Sequence, residues 1–260
     1  KLGKGVPEAL ADLENLRSRW SAPDLTSDAE TFVRIGTAVA DGAKPVLLAA
    51  NGPDAVTAAL QEAAAQGVKS VYVDSAANYP AVKSLATDNM AACTTAGTEM
   101  IKELEAKGIT SGKIGMVSVN AATASTVQRV DGFIAAFEDT DFELLEVQYG
   151  EGDAAKSQQI AENYISQGVV GIFGANEGST TGVGNAIKEA GNEIVGVGFD
   201  KSDTILGLIK DGALLCTMAQ NPDVMGYEGM KVAVGALDGS VTEDGEVIDT
   251  GVSVLTADKV

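Results

Sequence analysis

The sequence predicts an α/β protein of two similar lobes, each a parallel sheet flanked by helices. Strand-like and helix-like segments alternate along most of the 260 residues, which favours parallel sheets that are covered on both faces. One strand–helix–strand pattern occurs twice. The 30 glycines and the aromatic content of 5% suit tight turns between strands and helices better than a β-sandwich.

Five short apolar runs are predicted to be buried strands. They are 45–50, 71–73, 114–119, 169–173 and 194–199. Amphipathic stretches between them end near glycine or a polar break, as helices do. These predicted helices are 54–66, 94–107, 126–138, 154–167 and 180–190. No apolar run is long enough to predict a membrane span.

The internal repeat is the most informative feature of the sequence. In each copy a strand ends in Ala-Asn, a helix follows, and the next strand ends in Asp. Asn51 and Asp74 mark the first copy and lie 23 residues apart. Asn176 and Asp200 mark the second copy and lie 24 residues apart. The pattern predicts a duplicated α/β lobe.

The repeat also exposes a gap in the first lobe. The second copy is preceded by a strand and a helix within 113–138 and by a strand around 144–149. The same spacing places the matching helix near 5–16 and the matching last strand near 16–22. The opening strand would fall before Lys1, so we expect it to be missing, whether truncated, undescribed or replaced.

Composition argues against several classes of partner and chemistry. The chain has 18 Lys plus Arg against 37 Asp plus Glu, a net charge of -19, and such a surface repels nucleic acid and anionic lipid. It has no histidine, the commonest general base and transition-metal ligand. Cys93 and Cys216 cannot build a structural zinc site alone, and they are either buried thiols or one disulfide.

Motifs for catalysis and cofactor binding are sparse. Gly182-Val183-Gly184 lies inside a predicted helix and not in a strand-to-helix turn, so it is not a dinucleotide fingerprint. There is no phosphate-binding loop, and without histidine no Ser-His or Cys-His arrangement is possible. We therefore predict that the chain is not an enzyme and has no catalytic residues, no metal site and no cofactor.

Four polar residues mark the expected ligand site. Ligands of open parallel sheets bind beyond the carboxyl ends of the strands, where Asn51, Asp74, Asn176 and Asp200 are predicted to lie. Two lobes that face each other would bring these side chains to one cleft. Amides both donate and accept hydrogen bonds, and carboxylates accept them strongly, which suits the hydroxyls of a small ligand. Alternatively, each residue only caps the next helix.

Seven short motifs occur in the order expected of one known family. They are AANGPDAV at 49–56, VDS at 73–75, TDN at 87–89, RVDGF at 129–133, GANE at 174–177, VGFD at 197–200 and AQNP at 219–222. With them the chain resembles, over nearly its whole length, the ribose-binding (cluster B) type of periplasmic sugar-binding protein that serves sugar importers.

The resemblance implies two lobes joined by three crossover strands, with the ligand clamped by hinge closure. The crossover strands would lie near 87–89, 220–222 and 248–251. The N-terminal lobe would hold 1–88 plus 222–249, and the C-terminal lobe 89–221 plus 250–260.

The resemblance also assigns residues that bind the ligand. They are Asn51, Asp74, Gln128, Asn176, Phe199, Asp200 and Gln220. The Phe199 position packs an aromatic ring on the ligand, which suits the apolar face of a sugar. Two departures point away from ribose towards another pentose, hexose, polyol or related furanose. Val127 stands where ribose binders have an arginine, and Gly152-Asp153-Ala154 lacks the Phe and Arg of a Phe-Asp-Arg run.

The leading hypothesis is a receptor that captures a sugar or polyol and delivers it to the membrane permease of an ABC importer. We expect a monomer that is periplasmic, or extracellular and anchored as a lipoprotein. The main alternative is the effector-binding core of a lactose-repressor-type transcription regulator, although no basic DNA-reading segment supports it. Further alternatives are an enzyme on a similar scaffold and a receptor that signals to a sensor protein.

Overall fold

The computed structural model describes residues 27–260, which form two compact units. Unit 1 comprises 27–88, Ala122–Ser125 and Asn221–Gly251, and unit 2 comprises Asn89–Ala121, Thr126–Gln220 and Val252–Val260. Compared with the predicted lobes, Asn221, Thr250, Gly251 and the segment Ala122–Ser125 group with unit 1. The helix and strand expected near 5–16 and 16–22, and the strand expected before Lys1, lie outside the described residues.

Helices and strands alternate along the described chain. The α-helices are α1 Asp28–Ala40, α2 Thr57–Ala65, α3 Asn89–Ala106, α4 Ala124–Ala135, α5 Ala154–Ser166, α6 Glu177–Glu189, α7 Asp203–Lys210 and α8 Pro222–Asp238. The strands are β1 Pro45–Leu48, β2 Lys69–Val73, β3 Lys83–Ala86, β4 Ser111–Ser118, β5 Asp141–Leu144, β6 Gln148–Tyr149, β7 Val169–Gly174, β8 Val195–Phe199, β9 Cys216–Gln220, β10 Glu246–Asp249 and β11 Val252–Thr256. A short 3-10 helix, Ala257–Lys259, follows β11.

The predicted alternation is confirmed. The five predicted strands correspond to β1, β2, β4, β7 and β8, and the five predicted helices correspond to α2 through α6. The strand predicted around 144–149 is instead two short strands, β5 and β6, which pair with separate parts of β4. Between these two pairings, the chain from β5 to β6 has one residue more than β4, so continuous pairing is interrupted.

Unit 1 is built on a parallel sheet with the strand order β1-β2-β3-β10. Successive side chains of β2 point to opposite faces of this sheet, and helices pack on both faces. Tyr72 packs in a cluster with Ile35 of α1 and Leu60 of α2, whereas Val71 and Val73 pack in a second cluster with residues of α8. The period of two in a strand thus separates the two halves of the core.

Unit 2 contains a larger sheet with the order β11-β9-β8-β7-β4-β5, and β6 also pairs with β4. Only β11, which is antiparallel to β9, departs from parallel pairing within the described part of this sheet. Met116 of β4 packs in a cluster with residues of α3 and α4. Val117 faces the other way, towards α5, α6 and α7. The sheet is therefore buried on both sides, as parallel sheets are.

Both cysteines are free thiols in this structure, so the disulfide alternative is not formed. Cys93 on α3 and Cys216 on β9 are fully buried in the same apolar cluster of unit 2. Burial raises the pKa of each thiol to about 12, so both remain protonated at neutral pH and are poor nucleophiles.

Residues 27–260 contain no helix that is long and apolar enough to cross a membrane. In the same residues, no group of three or more His, Cys, Asp or Glu side chains is arranged to hold a metal ion.

The contact between α5 and α6 depends on a glycine. A Cβ atom added at Gly182 of α6 would lie 2.5 Å from the carbonyl oxygen of Ala154 and 2.6 Å from the amide nitrogen of Gln158. These are backbone atoms of α5, which cannot swing aside as a side chain can. Gly182 therefore permits the close approach of the two helices, although glycine within a helix costs about 1 kcal/mol relative to alanine.

We expect Gly182→Ala to lower the melting temperature of unit 2 by several degrees. Overpacking costs about 1–3 kcal/mol, and 1 kcal/mol corresponds to roughly 2–4 °C in a domain of this size. Gly207→Ala in α7 is the matched control, because an added Cβ there meets nothing within 4 Å. The control should keep or raise the melting temperature in calorimetry. A Gly182→Ala protein as stable as the native one would contradict this packing argument.

Candidate functional site

Three adjacent parallel strands of unit 2 bring predicted site residues to one edge of the sheet. The strands β7, β8 and β9 lie side by side, so their carboxyl ends meet at the same edge. Asn176 and Asp200 come just after β7 and β8, and Gln220 is the last residue of β9. The Gln220 amide Nε2 donates to Asp200 Oδ1 at 2.6 Å, so the structure brings these two residues into direct contact.

The Asp200 carboxylate is held at both oxygens. Its Oδ2 accepts a hydrogen bond from the backbone N–H of Glu177 at 3.0 Å, at the N-terminus of α6, where the helix dipole favours a negative charge. Gln220 binds the other oxygen. Each carboxylate oxygen can accept about two hydrogen bonds, so Asp200 keeps acceptor capacity for a ligand. Its φ of 74° places it in the left-handed region, which aspartate tolerates better than most residues.

A buried arginine, Arg129 of α4, holds the centre of this group. Only 2% of its surface is exposed. Its Nε donates to Asn89 Oδ1 at 2.8 Å, its Nη1 to the Ala175 carbonyl oxygen at 3.1 Å, and its Nη2 to Gln220 Oε1 at 3.3 Å. These bonds fix the guanidinium plane and connect it through Gln220 to Asp200. Neither Arg129 nor Asn89 was predicted from the sequence to belong to the site.

Phe199 packs against the guanidinium of Arg129. It is fully buried, and the Arg129 guanidinium carbon lies 3.8 Å from the centroid of its ring, a cation–π contact. The guanidinium covers one face of the ring. Phe199 therefore supports Arg129 in this structure, and direct stacking on a ligand stays a prediction. We name Asn89, Arg129, Phe199, Asp200 and Gln220 the Arg129 network.

Asn176 caps α6, as the alternative interpretation of the sequence expected. Its Oδ1 accepts a hydrogen bond from the backbone N–H of Ser179 at 2.9 Å. Its side-chain NH₂ group donates to no described residue in the contacts of this structure. Asn176 can therefore both cap the helix and donate to a ligand, because the two roles use different atoms of its amide.

Gln128 lies at the margin of the Arg129 network. Its side chain is exposed, and its Oε1 is 3.5 Å from Asn89 Nδ2, at the long limit for a hydrogen bond. The neighbouring Arg129 points into the unit, since successive helix residues face directions about 100° apart. Of the two adjacent residues, Arg129 is the one that the structure places among Asp200 and Gln220.

In unit 1, Asn51 and Asp74 follow the adjacent parallel strands β1 and β2. Asp74 has a φ of 66°, so both copies of the repeat end in an aspartate with a left-handed backbone. Asn51 does not cap a helix, because α2 begins only at Thr57. Its Nδ2 instead donates to Asp28 Oδ1 at 3.2 Å. That Asn51 and Asp74 share one ligand with the residues of unit 2 stays a prediction.

Comparisons with known proteins point to one family. A family model described as periplasmic binding protein domain matches residues 2–240. The chain is 29% identical over 205 residues to ribose import binding protein RbsB of Haemophilus influenzae, covering 78% of this chain and 69% of that protein.

Two solved structures are also similar to this chain. One is an ABC transporter solute binding protein from Agrobacterium vitis with bound D-fucose, with a TM-score of 0.91, 29% identity, and coverage of 99% of this chain and 90% of the other. The second is a carbohydrate transporter solute binding protein from Agrobacterium radiobacter in complex with D-arabinose. It has a TM-score of 0.91, 25% identity, and coverage of 98% and 88%.

Proposed function

Because the chain belongs to the periplasmic binding protein domain family, we propose that it is a receptor for a small sugar or polyol. The proposal is supported by relatives named for ribose import and by similar solute binding proteins that hold D-fucose and D-arabinose. The regulator alternative is not favoured, because these relatives and structures are transport receptors.

The main observation behind the proposal is that two hydrogen bonds hold the carboxylate of Asp200. Two donors fix its position, and its remaining lone pairs can accept hydrogen bonds from the hydroxyls of a sugar. Such hydroxyl-to-carboxylate bonds are short and strong. The Asn176 NH₂ group, also at this edge of the sheet, supplies donors for sugar oxygens. Fixed acceptors and donors at one edge fit a ligand that carries several hydroxyls.

Delivery to the membrane permease of an ABC importer follows from the import role in the relatives' names. We extend this to a location outside the cytoplasm, either periplasmic or on a lipoprotein anchor, and to a monomeric receptor. We also propose that binding is not followed by catalysis, because the family consists of transport receptors. The contribution of Asn51 and Asp74 belongs to the same proposal.

We expect Asp200→Asn to weaken sugar binding by about ten- to a hundredfold, since a hydrogen bond to a charged group contributes roughly 1.5–3 kcal/mol. Asparagine is preferable to alanine because it tolerates the left-handed backbone of this position. D-ribose, D-arabinose, D-fucose and a set of amino acids are first screened by thermal shift, because a ligand specific for the folded state raises the melting temperature. Titration calorimetry then gives the affinity for the best sugar.

Asp211→Asn is the control for this test, because Asp211 is an exposed partner of Lys188 elsewhere in unit 2. It should bind the sugar as the native protein does. Native affinity in Asp200→Asn would remove Asp200 from the site. A thermal shift with amino acids alone would contradict the sugar class.

Replacement of Asn176 separates capping from binding. Asn176→Asp keeps an oxygen that accepts from the Ser179 N–H, so we expect the unliganded melting temperature to hold while sugar affinity falls. Asn176→Ala loses the cap as well, which costs about 1 kcal/mol and lowers the melting temperature by roughly 2–4 °C. Calorimetry and sugar titration on both variants distinguish the roles. Full sugar affinity in Asn176→Asp would show that the residue is only a cap.

A further inference from the structure

Asn89 has no role in the function described so far, yet it is among the most buried polar residues of unit 2. Only 2% of its surface is exposed. It is the first residue of α3 and the first residue after the chain leaves unit 1 at Asp88. Its Oδ1 accepts a hydrogen bond from Arg129 Nε at 2.8 Å, a shorter distance than those from the guanidinium to Ala175 and Gln220.

The Nε bond restricts Arg129 in a way that its other bonds do not. The Nε of arginine carries a single N–H, and in this structure that N–H points to Asn89. Ala175 and Gln220 accept from the far end of the guanidinium. The Asn89 contact instead holds the end of the guanidinium that is nearest to its stem. Acceptors at both ends and the Phe199 ring against one face leave the guanidinium a single orientation.

The orientation of Arg129 in turn determines the orientation of Gln220. Arginine has donors only, so the Gln220 side chain must turn its Oε1 towards Arg129. Its Nε2 then faces Asp200 and donates at 2.6 Å. If Arg129 moved, the Gln220 side chain would lose the contact at its Oε1 end and would be held only through its Nε2. One of the two donors to the Asp200 carboxylate would then be less firmly positioned.

We propose that Asn89 is a positioning residue for ligand binding, which acts through Arg129 and Gln220 on Asp200. The inference rests on the proposed function, since it concerns the geometry of that same site. It predicts that Asn89 affects sugar affinity without touching the sugar. A residue that only stabilises α3 would instead affect the melting temperature and leave affinity unchanged.

The test compares three variants by titration with the sugar from the thermal-shift panel that binds the native protein best. Asn89→Ala removes the acceptor and should weaken binding about tenfold or more. Asn89→Asp keeps an oxygen for Arg129 Nε and should restore affinity close to the native value. Leu104→Val, a buried change on the same helix, should lower the melting temperature and leave affinity unchanged. Native affinity in Asn89→Ala, or equal losses in Asn89→Ala and Asn89→Asp, would overturn the proposal.

A second readout does not need a sugar. In protein labelled with ¹⁵N-arginine, the Arg129 Nε–H signal is identified by its loss in Arg129→Lys. We expect slow solvent exchange of this proton in the native protein and in Asn89→Asp, and much faster exchange in Asn89→Ala. Unchanged protection in Asn89→Ala would overturn the positioning role. If no sugar in the panel binds, the proposed function fails, and the exchange measurement still decides whether Asn89 positions Arg129.

Discussion

The burial of the Arg129 guanidinium is the constraint on which the candidate site depends. Removing a cation from water costs several kcal/mol unless its charge and its N–H groups are satisfied. Asn89, Ala175 and Gln220 supply oxygens in the plane of the group, and Phe199 supplies a ring face. These partners come from separate elements, so satisfying one cation brings the ends of several strands and helices into a fixed arrangement.

The buried position of Arg129 differs from that of most cationic side chains in this acidic chain. The chain has 37 Asp plus Glu against 18 Lys plus Arg. In the described residues, most of the ion pairs lie at the surface, such as that of Lys188 with Asp211. Such exposed pairs contribute little to stability. Arg129 instead is buried and is connected to the Asp200 carboxylate through Gln220.

The repeat that the sequence revealed has a physical counterpart in the backbone. Asp74 and Asp200 end equivalent strands with φ values of 66° and 74°, a conformation that costs about 1–2 kcal/mol in most residues. The same turn in both copies explains why a short polar residue occurs at each place. The asparagines of the repeat are less equivalent: Asn176 caps α6, whereas Asn51 contacts Asp28.

Much of the fold could be predicted, because buried parallel strands appear as apolar runs and helices as amphipathic ones. The apolar pattern did not reveal β3 or β10, since their four residues carry mixed polarity. A strand close to β10 was expected only through the resemblance, which places a crossover strand near 248–251. Asp200 was predicted as a site residue from its position at a strand end, whereas Gln220 was predicted only through the family resemblance. Arg129 was not, although it stands in a recognised motif, because its importance arises from partners distant in sequence. Neither pattern nor spacing shows that Asn89, Phe199 and Gln220 surround one side chain.

The most direct test of this account is titration of Arg129→Lys with the sugar that binds the native protein. Lysine keeps the positive charge, but its single ammonium group cannot reproduce the planar set of donors that holds Asn89, Ala175 and Gln220. The account predicts a loss of affinity of about tenfold or more, with no loss in Arg34→Lys, a change at an exposed ion pair. Native affinity in Arg129→Lys would show that the charge alone is sufficient and would contradict the central role of the buried guanidinium.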